Sequence, residues 1–387
     1  MSQPTPGAPG VGRIVLWGTC DVGKPRVRIL LRGLRECGVE VIECRADLWS
    51  GIEDKSQVRG AGAWLRLALR AAWTYPMLVA RYLRLPRHDW VLLGYPCIPD
   101  IFVICLFARL RGARIALDWF LSAYDTVVLD RALVGPRHPL AWTIRSAEWL
   151  GVRLADAPFM DTRAHARRME RMFGLAAGSC GHVWVGVEED AFATVAPVKP
   201  GADEREDGRL HVLFYGQFIP LHGIATIIEA ARILRGAPVA WTLVGKGQEA
   251  PRIRVMLDAD PLPTLRWVDW IDYADLRQEI AAADICLGIF GASDKAASVI
   301  PNKVFQVLAA GRPLITRDSP AIRELVEQDM LDIALVPPGD ARALANAVMR
   351  WQRQPPMPDP RRDKLRAGIL PHAIGAQLLD VLQGHRA

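Results

Sequence analysis

The chain has 387 residues, 51% of them hydrophobic, and its 48 Lys and Arg against 42 Asp and Glu give a formal charge of +6. That length is too great for one ordinary core and suits two domains of about 180 residues each. The positive charge comes from scattered arginines and admits anionic partners such as nucleotide phosphates or an acidic membrane surface. It is not gathered on an aromatic-interleaved stripe, so nucleic acid is not an expected partner.

Residues 1–12, MSQPTPGAPGVG, have neither a basic start nor an apolar core and read as a disordered tail rather than a signal peptide. RIVLWG at 13–18 is a short buried strand, followed by a turn and an amphipathic helix ending at Gly38, and VEVIECR is the second strand. From Arg59 to Arg87 apolar residues such as Trp64, Leu69, Trp73 and Leu78 mix with arginines. On a straight helix Arg59, Arg66, Arg70, Arg81 and Arg84 share an arc of about 60°. Such a face suits anionic lipid headgroups and predicts a peripheral membrane contact through 59–87. Pro76 is expected to interrupt or kink the helix, and a surface helix pair with solvated arginines is the alternative.

DWVLLGY at 89–95 and ARIALDW at 113–119 are strands with the helix IPDIFVICLFARLRG between them, a βαβ pattern that implies a parallel sheet. LADAPFMDT, an Arg-rich helix to Phe173 and the strand HVWVGV complete a first Rossmann-like domain at 13–195. No window reaches the roughly 18 uninterrupted apolar residues that a membrane-spanning helix needs. The seven cysteines are scattered without a CxxC pair, which argues against structural zinc and predicts reduced thiols in a cytoplasmic protein.

TVAPVKPGADEREDGR lacks periodicity and is rich in Pro, Gly and charge, which places a linker at 196–209. The second domain, 210–355, opens with the strand HVLFYG, a glycine turn at Gly216 and a helix starting near His222 or Gly223. A second strand, Val239 to Val244, closes on Gly245-Lys246-Gly247. QRQPPMPDPRRD marks a break, and the segment 356–387 is expected to return to the first domain. The fold class is therefore α/β, with two Rossmann-like domains whose parallel sheets face across a cleft, the strands' carboxyl ends lining the ligand site.

The blocks LFYGQFIPLHGI, WTLVGKGQE, RWVDWIDYADLRQEIAAADICLGIF and IPNKVFQVLAAGRPLITRDSPAIREL, in that order and spacing, resemble the donor-binding half of glycosyltransferase family 4, a retaining group with the GT-B fold. The first domain resembles the acceptor half more weakly, through LWGTCDVGKPR, VLLGYP, ALDWF, LADAPFMDT and VWVGVEEDAF. The resemblance implies transfer of a hexosyl unit, with retention, from a nucleoside diphosphate sugar to a hydroxyl of a polysaccharide or lipid-linked acceptor at the inner membrane face. A nucleotide-sugar epimerase on the same fold and a non-catalytic nucleotide-sugar-binding subunit are the alternatives. The diphosphate sugar is a co-substrate; no other cofactor and no metal are expected.

The chain departs from the family at four positions. Gln217 and His222 stand where an Arg and a Lys usually hold the diphosphate, and Ser298 and Gln306 stand where two glutamates are usual. Stabilisation of the leaving diphosphate is therefore expected from helix N-termini near Gly223 and Asn302 and from Lys303, with Lys295 and Lys246 as alternatives. Gly216, Gly245, Gly247 and Glu324 complete the donor-side candidates; the glycines otherwise serve only as turn residues and Glu324 as a surface residue. Base recognition is assigned to backbone near Trp270 to Tyr273. On the acceptor side the candidates are Gly23, Lys24, Arg26 and Asp125. Asp118, a strand-end carboxylate that is costly to bury unless paired or hydrated, joins Lys303 and Gln306 as a catalytic candidate.

Overall fold

The computed structural model describes residues 11–48, 61–188 and 208–384. The tail read at 1–12 and the linker read at 196–209 therefore lie outside the described residues except at 11–12 and 208–209, as does Arg59. The chain divides into two compact units, Met1–Gly186 with Leu370–Ala387, and Val187–Ile369.

The first unit is built on a six-stranded parallel sheet of β1 (Arg13–Gly18), β2 (Glu40–Arg45), β3 (Trp90–Leu93), β4 (Arg114–Asp118), β5 (Ala157–Met160) and β6 (Gly181–His182) in the order β2-β1-β3-β4-β5-β6. Val15 lies beside Ile42 on one side and Val91 on the other. Strands covered on both faces need continuous apolar runs rather than alternation, which is why Ile14 to Trp17 and Trp90 to Leu93 are all buried. The helices are α1 (Pro25–Glu36), α2 (Ala61–Leu83), α3 (Ile98–Leu110), α4 (Pro139–Leu154) and α5 (Arg163–Phe173). Helices α2 to α5 bury Leu78, Tyr82, Ile101, Ile104, Val152, Met169 and Phe173 in one core with Trp17 and Trp119. Helix α1 puts Leu30 and Leu34 into a second core with Leu16, Leu92 and Phe159.

Two expectations are corrected here. Of the interruption or kink expected at Pro76, the interruption does not occur, since helix α2 continues through it. The lost backbone bond is local, while Leu78 and Tyr82 in the next turns are wholly buried and hold the helix in place. The strand read over HVWVGV shrinks to two residues, because β6 is an edge strand that pairs only Gly181 with Phe159 and His182 with Met160.

The second unit has β7 (Leu210–Tyr215), β8 (Val239–Val244), β9 (Leu265–Val268), β10 (Ile285–Leu287), β11 (Leu314–Arg317) and β12 (Ile333–Val336), all parallel, in the order β12-β11-β10-β7-β8-β9. Its helices are α6 (Ile224–Ile233), α7 (Ala250–Ala259), α8 (Tyr273–Ala282), α9 (Asp294–Ser298), α10 (Asn302–Ala309), α11 (Ile322–Leu325), α12 (Ala341–Arg353) and α13 (Arg362–Ala367). Phe214, Ile227, Ile228, Trp241, Leu344 and Trp351 share its main core.

The segment 356–387 is split between the units. Arg362 in α13 meets Asp332 at 2.9 Å and donates to the Arg312 carbonyl at 2.7 Å, which binds that turn to the second unit. Helix α14 (Pro371–Gly384) packs instead on α1, adding Ile374, Leu378 and Leu382 to the core of the first unit. A Cβ on Gly33 would stand 2.1 Å from the Pro371 carbonyl oxygen, and one on Gly375 2.3 Å from the Gly33 carbonyl, so the two helices cross backbone to backbone.

Candidate functional site

In each sheet the strand order reverses beside its first strand. In the second unit β7 continues to β8 and β9 on one side and has β10 on the other. Loops leaving the carboxyl ends of β7 and β10 flank that reversal, the place where open α/β sheets take ligands in a crevice. The loops meet at their base: Phe290 N donates to the His222 carbonyl at 3.0 Å and Gly291 N to the Leu221 carbonyl.

Lys303 stands at the centre of this site. It lies in the first turn of α10, only 5% exposed, and its Nζ has no hydrogen-bond partner. The ammonium sits 3.7 Å from the centroid of the Phe214 ring. A desolvated cation–π contact contributes about 2 kcal/mol, whereas burying an ammonium costs several kcal/mol. The ring alone does not offset the burial, and burial pushes the Lys303 pKa well below its ordinary value. An anion placed against Nζ would restore the charge.

Gly216 makes room for that anion. Its φ of +138° is a conformation that L side chains rarely adopt, and a Cβ there would lie 2.9 Å from Lys303 Nζ and 3.2 Å from His222 Cε1. Gly245 is required by a neighbouring turn, because its Cβ would fall 1.9 Å from the Gly216 carbonyl oxygen. Gly247 lies against the Phe218 backbone in the same way. Helices α6 and α10 both begin at this loop cluster, and neither has a side-chain N-cap. Their first N–H groups are thus available to an anionic ligand. Gly223 is the residue before α6, and Asn302, half-buried, opens α10.

The remaining donor-side candidates are placed as follows. His222 is 8% exposed, with Nδ1 hydrogen-bonded to the Gln217 carbonyl and its ring edge-on to Phe214. The Gln217 side chain is exposed. Ser298 Oγ donates to the Asp294 carbonyl at 2.7 Å inside α9. Gln306 Oε1 accepts from the Tyr215 hydroxyl at 3.0 Å, and the same hydroxyl lies 3.3 Å from the Lys303 carbonyl. Glu324 is half-buried in the single turn of α11. Of the alternative cations, Lys246 is exposed and Lys295 is buried in α9. Phe214 and Tyr215 were not singled out from sequence, although their position as the last two residues before Gly216 marks the strand end.

In the first unit Gly23 and Lys24 form an exposed turn held by Asp21, whose Oδ1 accepts from Gly23 N at 2.9 Å. The structure places Arg26 away from them, 1% exposed. Its Nε lies 2.8 Å from both carboxylate oxygens of Asp118, and its Nη1 donates to the Val183 carbonyl. Burial raises the Asp118 pKa and the Arg26 guanidinium opposes that rise. Asp118 is thus paired, as its burial demands, with both oxygens occupied. Asp125 is likewise wholly buried and meets Arg168 at 2.7 Å.

Three further buried groups were not foreseen. Asp100 accepts from Thr19 N, Thr19 Oγ1 and the Tyr75 hydroxyl, and burial pushes its pKa up to about 7. Glu148 accepts from Trp119 Nε1, Ser122 Oγ, Ala123 N and Tyr124 N. His165 Nδ1 lies 2.6 Å from Asp161 Oδ1 just beyond β5. The sequence signal for the first two was a lone carboxylate within an otherwise apolar helix. A cavity of about 970 Å³ runs along edge strand β12 beside Ala343 and Trp351 and takes in none of the Gly216, His222 or Lys303 cluster.

Comparison with known proteins places these units. Residues 209–354 match the family glycosyl transferases group 1. The amylovoran biosynthesis glycosyltransferase AmsK of Erwinia amylovora is 27% identical over 182 residues, which span 45% of this chain and 44% of that protein. The sucrose-phosphate synthase of Thermosynechococcus elongatus superposes with a TM-score of 0.68 at 17% identity, over 96% of this chain and 98% of its own. Anabaena HepE, solved in complex with UDP-glucose, superposes with a TM-score of 0.62 at 13% identity, over 97% of this chain and all of its own. With two six-stranded parallel sheets the chain has the GT-B fold, and its second unit is similar to the glycosyl transferases of group 1.

Proposed function

We propose that the crevice beside β7 binds the diphosphate of a nucleoside diphosphate sugar, and that the protein transfers the hexosyl unit, with retention, to a hydroxyl of a polysaccharide or lipid-linked acceptor. The observation that carries this is Lys303, a buried amine without a hydrogen-bond partner that lies against the Gly216 turn and belongs to the first turn of a helix with no side-chain N-cap. Leaving-group charge on the β-phosphate develops where that cation and those N–H dipoles converge, which is where fixed electrostatics lower a barrier most. The UDP-glucose bound to HepE and the biosynthetic role in the name of AmsK support the donor class and the acceptor class. No metal is required, since Lys303 and the helix termini meet the diphosphate charge.

The test is a thermal-shift and calorimetry screen with nucleoside diphosphate sugars, followed by nucleoside diphosphate release on adding acceptor. A cognate donor at about 100 times its Kd stabilises the protein by about 2.7 kcal/mol, and EDTA leaves turnover unchanged. No shift with any donor at saturation would remove the donor site. A second reading has one observation in its favour: Gln306 spends its amide oxygen on Tyr215 and brings no carboxylate. Donor binding without turnover across an acceptor panel would make the protein a nucleotide-sugar-binding subunit. Interconversion of sugars without transfer would make it an epimerase.

A further inference from the structure

Helices α2, α3 and α4 lie side by side on one face of the first sheet and bury their inner residues in a common core. Their outer residues are apolar to an unusual degree. On α2, Leu65, Leu69, Trp73 and Met77 recur every fourth residue, and Trp73 is 80% exposed. On α3, Phe102, Leu106 and Leu110 do the same, and Leu110 is 75% exposed. On α4, Leu140, Trp142, Trp149 and Leu150 are exposed, Trp142 at 68%. Residues four apart share a helix face, so α2 and α3 each carry a continuous apolar stripe about 12–18 Å long. Isolated exposed apolar side chains are ordinary, but stripes on adjacent helices form a contact surface.

The charges among these side chains are all of one sign. Helices α2, α3 and α4 carry six arginines, Arg66, Arg70, Arg81, Arg109, Arg145 and Arg153, all exposed. Their two carboxylates, Asp100 and Glu148, are turned inward and hydrogen-bonded. Between α2 and α3 runs an apolar groove of about 430 Å³, lined by Tyr75, Val79, Leu83, Val103 and Phe107. No helix among the described residues is long and apolar enough to cross a membrane.

We infer that this three-helix face docks on the surface of an anionic lipid bilayer, with Trp73, Trp142 and Trp149 at headgroup depth, the leucines among the acyl chains and the arginines against lipid phosphate. Indole rings favour that interface, and a basic apolar face of this kind binds without spanning. Charge complementarity selects the occupant: a second copy of the same face would bring arginine against arginine, whereas an anionic bilayer meets both the apolar stripes and the cations. This deepens the functional reading by supplying the surface on which a lipid-linked acceptor is met, and it rests on that reading in this respect alone. It extends the contact expected at 59–87 to α3 and α4.

The test is flotation of the full-length protein with vesicles of phosphatidylcholine alone and of phosphatidylcholine with phosphatidylglycerol, in the absence of nucleotide sugar. Wild-type protein floats with the anionic vesicles and is released by salt. The pairs Leu69→Glu/Trp73→Glu on α2, Leu106→Glu/Leu110→Glu on α3 and Trp142→Glu/Trp149→Glu on α4 each lower vesicle affinity at least tenfold. Arg66→Gln/Arg81→Gln lowers it about fivefold per charge removed. All these side chains are exposed, so donor-induced thermal shifts measured without vesicles stay as in the wild type, which separates loss of docking from loss of the donor site. The inference fails if wild-type protein does not float with anionic vesicles at low salt. It also fails if the α3 and α4 variants float like the wild type, or if the α2, α3 and α4 variants abolish a dimer seen by sedimentation while vesicles are never bound.

Discussion

A buried lysine without a partner destabilises the protein that holds it, and this makes Lys303 separable from an ordinary structural residue. Lys303→Met keeps the volume and the apolar contact with Phe214 while removing the ammonium. We expect it to raise the stability of the unliganded protein by about 0.5–2 kcal/mol, as changes at strained functional positions often do, and to weaken donor binding at least tenfold. A variant less stable than the wild type with unchanged donor affinity would assign Lys303 to the fold. The pH dependence has a definite sign. The native pKa of Lys303 is depressed, so the unfolded chain binds more protons and stability rises with pH between that native value and about 10.5. Donor binding, which restores the charge, takes up a proton in the same window and weakens as pH rises. Asp100 has the opposite tendency. Its pKa is raised to about 7 by burial, so its contribution is fully present below about 4 and is lost as pH rises through 7. Asp100→Asn retains an acceptor for Thr19 and Tyr75 and should flatten the decline between pH 4 and 7, read from hydrogen exchange of the β1 amides. Lys303 and Gly216 were legible in the sequence because a lysine at a helix start and a glycine after a strand each carry a local signal. Phe214 and Tyr215 were not, since which strand-end residues meet α10 depends on a pairing of β7 with β10 that lies about 70 residues away.

At the scale of elements, the strands were readable because burial on both faces leaves an uninterrupted apolar run, as in Ile14–Trp17 and Trp90–Leu93. An interruption of helix α2 at Pro76 does not occur, because the local loss of one N–H is outweighed by the burial of Leu78 and Tyr82 beyond it. A return of 356–387 to the first unit was expected from the sequence, but the seat of α14 on α1 could not be read. It depends on Gly33 and Gly375, which in sequence look like two helix-weakening residues, each costing about 1 kcal/mol relative to Ala. In the structure they are the contact. Gly375→Val places a branched side chain against the α1 backbone, and overpacking of this kind costs about 1–3 kcal/mol or more. We expect loss of unit-one stability by chemical denaturation, with donor-induced protection of the second unit's amides retained. A neutral outcome would show that the two helices separate easily.

Taken whole, the chain is two parallel sheets, each with its strand order reversing beside the first strand, and that reversal sets the place of the crevice in the second unit. Glycine turns and strand runs predicted strands in both units, β1 to β4, β7 and β8 among them. They did not predict the strand order, because it is decided by which faces pack rather than by local propensity. The four departures from the family, Gln217, His222, Ser298 and Gln306, are resolved in part: three are engaged with the protein's own groups, by the Gln217 carbonyl to His222, by Asp294 and by Tyr215. Lys303 Nζ, buried beside Gly216, has no hydrogen-bond partner among the described residues.

The return of α14 to α1 also bears on the order of events during synthesis. A ribosome that has released α1 must translate all of Val187–Ile369 before residues 371–384 can cover Leu30 and Leu34. At about 5–20 residues per second this interval is roughly 10–40 s. During it the second unit is able to fold ahead of the first, and the nascent first unit exposes one apolar sheet face to chaperones.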